Sequence, residues 1–132
     1  MRLLLKEARS KIALQVDDSS NLINEHITMI ARIWKGRTSL SKATAYKEFL
    51  LKVAVHDYKS VKGILGIQFL HHVENNEAHF TLITLWPSID SIKKFAGSDY
   101  EKAKYYPDDQ EFLLDFPEKV QHYECFYKEL IN

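Results

Sequence analysis

The sequence predicts an α+β fold with one antiparallel sheet, and three observations carry that prediction. Stretches rich in apolar and β-branched residues alternate with stretches whose apolar residues recur three or four apart. Turn-forming residues stand at the joints, Asn75-Asn76 foremost, a pair that tolerates positive φ. The strands are also apolar on both faces, which a sheet covered on one side alone does not require.

Taken in chain order, residues 1–26 read as an extension, helical or disordered, outside the core. Leu3, Ala8, Ile12 and Leu14 fit part of a helix, and Asp17-Asp18-Ser19-Ser20-Asn21 interrupts it. Residues 27–132 form the predicted domain. Its first strand runs from Ile27 to Trp34, with Ile27, Met29, Ala31 and Ile33 on one face, and Lys35-Gly36-Arg37 is expected to turn the chain. Ser39 or Ser41 caps a helix reaching about Asp57, with Tyr46, Phe49, Leu50 and Val53 as its buried stripe. Gly63 precedes a second strand, Ile64 to Glu74, and the Asn75-Asn76 turn leads to a third, Glu77 to Trp86.

Pro87-Ser88 ends that strand and opens a helix in which Ile89, Ile92, Phe95 and Ala96 share a face, and Gly97 closes it. Residues 99–114 read as a short helix with a loop centred on Tyr105-Tyr106-Pro107-Asp108-Asp109. Lys119 to Lys128 supplies the last strand. The order strand, helix, strand, strand, helix, strand is that of a ferredoxin-like βαββαβ domain with both helices on one face of the sheet. In the third strand Phe80 and Leu82 point one way, while Ile83 and Leu85 point the other. The second, bare face is expected to be covered by another copy of the chain, giving a homodimer.

Composition narrows the function. Eighteen basic residues balance eighteen acidic ones among 132, mixed along the chain, which argues against a nucleic-acid partner. Cys125 is the one cysteine, so no intrachain disulfide forms, and a reducing compartment, the cytoplasm, is the expected location. Leu3-Leu4-Leu5 is too short for a signal-peptide core or a membrane span, so no membrane is expected.

The run Met29-Ile30-Ala31-Arg32-Ile33-Trp34-Lys35-Gly36 is one of three motifs with a familiar pattern. The others are Leu85-Trp86, followed by Ser88 and an amphipathic helix, and the closing His122-Tyr123-Glu124. Together they resemble the antibiotic biosynthesis monooxygenase-like family over about residues 27–128. The resemblance implies a dimeric α/β barrel. That family includes oxygenases that act on aromatic polyketides without a cofactor, and haem-degrading enzymes. The haem-degrading branch is similar over Leu85-Trp86 and Ser98-Asp99-Tyr100-Glu101-Lys102-Ala103. It carries Trp where this chain has Phe95, the iron-ligating His where this chain has Tyr105, and a first-strand Asn that Met29 to Trp34 lacks. Three functional positions depart together, which disfavours haem degradation.

The oxygenase branch implies a site with no metal and no cofactor of its own, in which the substrate supplies the electrons after losing a proton. Such chemistry wants aromatic walls, a donor for the developing oxyanion and exclusion of water. Trp34, Trp86, Phe95, Tyr105, Tyr106 and Phe112 are the candidate walls, with His122 as base and Arg32 as anion holder. His122 and Glu124 are two apart on a strand and share a face. Each has a plainer reading: Trp86 and Phe95 as core, His122 as a hydrogen-bonded structural residue, Arg32 as the partner of a carboxylate. His71 and His72, adjacent on a strand, point to opposite faces and cannot chelate one ion together. Two functions follow from this pattern. One is a monooxygenase-like homodimer taking a small aromatic or apolar molecule, and the other is a non-catalytic binding or scaffolding homodimer of the same fold.

Overall fold

The computed structural model describes residues 29–132, so the expectations for residues 1–26, and the boundary before Ile27, lie outside the described residues. Residues 30–123 form one compact unit, and the fold below is theirs. Its sheet has four strands in the order β2-β3-β1-β4. Strand β1 is Met29–Ser39, β2 is Gly66–Glu74, β3 is Glu77–Trp86 and β4 is Gln121–Cys125. Strand β3 pairs antiparallel with both β1 and β2. This is the ferredoxin-like order expected from the sequence.

Strand β1 is longer than expected, because Lys35-Gly36-Arg37 does not turn the chain. Those residues continue the ladder opposite Thr81, Phe80 and His79. Glycine at 36 serves close approach here: a Cβ placed on it would lie 2.1 Å from the Trp34 ring. The indole folds across the backbone of the residue two places on, and any other side chain would evict it.

After a short 3₁₀ turn, Leu40–Lys42, the crossover helix is built of α1 (Ala43–Phe49), a π turn (Leu50–Ala54) and α2 (Val55–Lys59). No serine side chain caps it. Its buried line is Ala43, Tyr46, Leu50, Ala54 and Tyr58, while Phe49 is half-buried and Val53 is 38% exposed. The expected stripe therefore fails at Val53. The π turn, with its wider i→i+5 spacing, carries the buried line on in steps of four through Ala54 and Tyr58.

The β2–β3 hairpin forms as expected. Asn75 and Asn76 both have positive φ, 54° and 63°, and Glu74 pairs with Glu77 across a two-residue turn. Strand β2 starts at Gly66, two residues later than expected, although the Leu65 amide already donates to the Leu85 carbonyl at 2.8 Å. Helix α3 (Ile89–Ala96) starts where Ser88 Oγ accepts from the Ser91 amide at 3.1 Å, and stops at Gly97, φ 92°. Ile92 and Phe95 are buried beneath it.

Residues 97–108 carry no regular helix, and α4 is the single turn Asp109–Phe112. Strand β4 is shorter than expected because the preceding residues pair elsewhere. The Ala103 amide donates to the Glu118 carbonyl and the Val120 amide to the Glu101 carbonyl, each at 2.9 Å. One core joins the helices to one sheet face, with Trp34, Phe80, Leu82 and Trp86 against Tyr46, Leu50, Ile92 and Phe95. In the separate unit that includes residues 124–132, the Cys125 thiol donates to the Tyr127 carbonyl at 3.6 Å.

Candidate functional site

A cavity opens between the helix-covered face of the sheet and the elements above it. Strand β1 contributes Arg32 and Trp34, β3 contributes Leu82, and the crossover helix contributes Tyr46, Leu50, Ala54 and Tyr58. Phe95 of α3, with Lys104, Tyr106 and Asp109 from the long loop and α4, completes it. Its volume is about 390 Å³ counting the part open to solvent. The space within it that a water-sized sphere can reach is about 20 Å³, well below the ~300–1,000 Å³ usual for small-molecule sites.

Arg32 is the notable polar group. It is 3% exposed, yet among the described residues no carboxylate lies within ion-pair distance. One guanidinium nitrogen donates to the Tyr100 carbonyl at 2.5 Å, and the other to the Lys102 carbonyl at 3.0 Å. Nη1 also lies 3.2 Å from His122 Nε2. Its flat carbon sits 5.7 Å from the centre of the Phe95 ring. Burial lowers its pKa below the ordinary value, but no ordinary pH deprotonates an arginine. The cation is thus built in with neutral partners, whereas the sequence suggested a carboxylate.

His122 stands behind Arg32. Guanidinium N–H groups can only donate, so Nε2 is the acceptor and the ring is neutral with its proton on Nδ1. Burial, and then the Arg32 charge, push its pKa below the ordinary imidazole value, in agreement with that state. The Tyr100 ring packs edge-on against it at 5.1 Å.

Four of the eight residues proposed from sequence share the cavity: Arg32, Trp34, Phe95 and Tyr106. The other four surround it. Trp86 is fully buried in the core and donates from Nε1 to Thr84 Oγ1 at 2.8 Å. Tyr105 stacks edge-on to Trp34 at 6.2 Å and donates to the Pro117 carbonyl, bracing the indole from outside. Phe112 packs on Tyr46 and Phe49, and His122 holds Arg32.

Sequence reasoning did not mark Tyr46, Tyr58, Lys104 or Asp109 as site residues. Tyr46 and Tyr58 stand on the crossover helix, where an aromatic at helical spacing reads as core. Burial raises both phenols, Tyr58 to about 12, so both are neutral donors. Lys104 lies 4.4 Å from the centre of the Phe95 ring and 2.9 Å from Asp57. Tyr106 donates to the same Asp57 oxygen at 2.6 Å.

No protein-family model matches the chain, and no curated protein matches it. Solved structures do. A protein from Nitrosomonas europaea named as an antibiotic biosynthesis monooxygenase superposes with a TM-score of 0.56 at 14% identity, covering 76% of this chain and 92% of that one. A monooxygenase of Streptomyces coelicolor, solved with the ligand nanaomycin D, gives 0.50 at 14% identity over 80% and 94%. The chain has the fold of the antibiotic biosynthesis monooxygenases. A haem-degrading protein of Mycobacterium tuberculosis shares that fold as well, with a TM-score of 0.52 at 15% identity over 76% and 98%. The α+β ferredoxin-like fold that the resemblance implied is therefore borne out. Among the described residues no helix is long and apolar enough to cross a membrane.

Proposed function

We propose that the protein is a monooxygenase-like homodimer that takes a small aromatic molecule between sheet and helices and works without a cofactor of its own. The observation that carries this reading is Arg32, a buried cation without a carboxylate partner, lining a cavity walled by Trp34, Tyr46, Tyr58, Phe95 and Tyr106. A buried charge is costly unless paired or hydrogen-bonded. Two carbonyls and an imidazole already hold Arg32, and an electron-rich oxygen on a bound aromatic would add an acceptor that matches its charge. So small a cavity disfavours a haem. In this reading Arg32 holds the oxyanion and His122 orients the guanidinium through Nε2. The homodimer covers the open sheet face, where Leu70 and Tyr123 are 45% and 51% exposed. A cytoplasmic location fits the single cysteine.

One observation favours a binding module without turnover. The ring nitrogen of His122 that is able to take a proton is already occupied by Arg32. One experiment separates the two: native mass spectrometry of the protein from its host, followed by oxygen uptake with hydroxylated one- and two-ring aromatics. A ligand-bearing dimer with uptake abolished in Arg32→Met supports the enzyme. A ligand-bearing dimer without uptake supports the binding module, and a monomer overturns the homodimer.

A further inference from the structure

The cavity has a second polar group that the reading above leaves unused. Asp109 is 3% exposed and lines the cavity from α4, whereas Arg32 lines it from β1. Its Oδ2 accepts from the Tyr106 amide at 2.6 Å. Its Oδ1 is buried and has no hydrogen-bond partner among the described residues. A buried carboxylate oxygen without a donor is unfavourable, so natural chains seldom keep one without a use. Burial raises the Asp109 pKa, against the pull of the Tyr106 amide. Burial thus disfavours the charged form, and a further donor would relieve it.

Two features of one small cavity thus call for complementary atoms. Arg32 calls for an electron-rich oxygen, and Asp109 calls for an O–H or N–H. We propose that Asp109 Oδ1 is the acceptor for the hydroxyl of the bound molecule, so that the site selects neutral hydroxyaromatics over plain hydrocarbons and over aromatic carboxylates. An aryl carboxylate brings a further acceptor where Asp109 Oδ1 calls for a donor. A hydrocarbon leaves Asp109 Oδ1 without a donor and adds nothing to the three bonds that hold Arg32. A phenol gives its hydrogen to Asp109 Oδ1. This inference rests on the aromatic-cavity reading above and adds to it the residue that sets specificity.

The test compares phenol with toluene, a pair of nearly equal size that differ by the hydroxyl. Water solvates phenol better than toluene, so an apolar cavity alone favours toluene. Affinities are read by protein-observed NMR titration, with the Tyr106 amide and the Asp109 side-chain carboxyl carbon as local reporters. We expect phenol to bind at least tenfold tighter than toluene and to move the Asp109 carbon resonance, which toluene leaves in place. In Asp109→Asn the amide oxygen takes over the bond from the Tyr106 amide and turns its NH₂ toward the ligand. Phenol then loses its tenfold advantage, while toluene affinity stays within twofold.

Equal binding of phenol and toluene overturns the role of Asp109 and leaves the aromatic cavity standing. A phenol preference that survives in a folded Asp109→Asn overturns it too. If that variant does not fold, the carbon resonance in the unaltered protein decides, and a resonance that phenol fails to move overturns the proposal. If neither molecule binds, the cavity reading and this one fall together.

Discussion

The two faces of the sheet present opposite chemistry. On β3, Ala78, Phe80, Leu82, Thr84 and Trp86 are each 5% exposed or less, and they meet the helices. Their alternate neighbours His79, Thr81 and Ile83 are half-exposed, and Leu70 beside them on β2 is 45% exposed. The covered face hides its polar groups in specific bonds, such as Trp86 to Thr84 and Arg32 to two carbonyls. The open face keeps polar groups near its hairpin end, where His72 and His79 stack at 5.1 Å and Arg37 pairs with Glu77. It keeps its apolar groups farther along, around Ile33 and Ile83. One face is finished by its own chain. The other is ready for a second surface.

Four substitutions sharpen or break that contrast. Trp86→Ala, on the finished face, empties a site of zero exposure and should cost about 3–5 kcal/mol in urea unfolding. A loss under 1 kcal/mol would mean that the core is not where the burial places it. Gly36→Ala should cost about 1–3 kcal/mol, because the new methyl displaces the Trp34 indole. Near-ultraviolet circular dichroism should show that ring lose its fixed environment, and an unchanged spectrum would count against the clamped indole.

The third test is pH. The folded chain keeps His122 neutral with a pKa below the ordinary 6.5, so below that pH the unfolded chain binds a proton that the folded one refuses. Stability from this group is complete above about pH 6.5 and falls as the pH drops toward the folded value. Urea midpoints should therefore fall on acidification, and the fall should be smaller in His122→Gln. His71, whose pKa burial and Lys47 lower in the same direction, leaves part of the slope in place. Ile83→Lys, on the open face, should shift stability by no more than about 0.5 kcal/mol while moving the gel-filtration peak from dimer to monomer. A variant that remains dimeric would place the interface elsewhere.

The fold was legible because its signals are local. Asn75-Asn76, Ser88 and Gly97 each specify a backbone conformation that the structure contains. The errors came where a residue serves a neighbour distant in function. Gly36 looked like a turn because nothing in a sequence says that an indole two residues earlier needs its empty Cα. Val53 looked buried because a regular helical period was assumed across what is a π turn. The site was legible by residue type at Arg32, Trp34, Phe95 and Tyr106 and illegible at Asp109. An aspartate after Tyr-Pro-Asp reads as an ordinary turn residue, and only tertiary packing leaves its Oδ1 without a donor.

The π turn also bears on how this chain tolerates changes in length. A π turn takes up one residue more than a regular turn, so removing one residue from Leu50–Ala54 would restore a regular helix and leave everything after it facing nearly the same way. A second deletion has no such slack: each regular helical residue turns the chain by about 100°, so Tyr58 would leave the cavity wall and Asp57 would leave Tyr106 and Lys104. Substitutions at the exposed Leu51 and Val53 change only surface chemistry. At this point the helix carries one residue of slack, and a single-codon deletion here should be far better tolerated than a deletion of two.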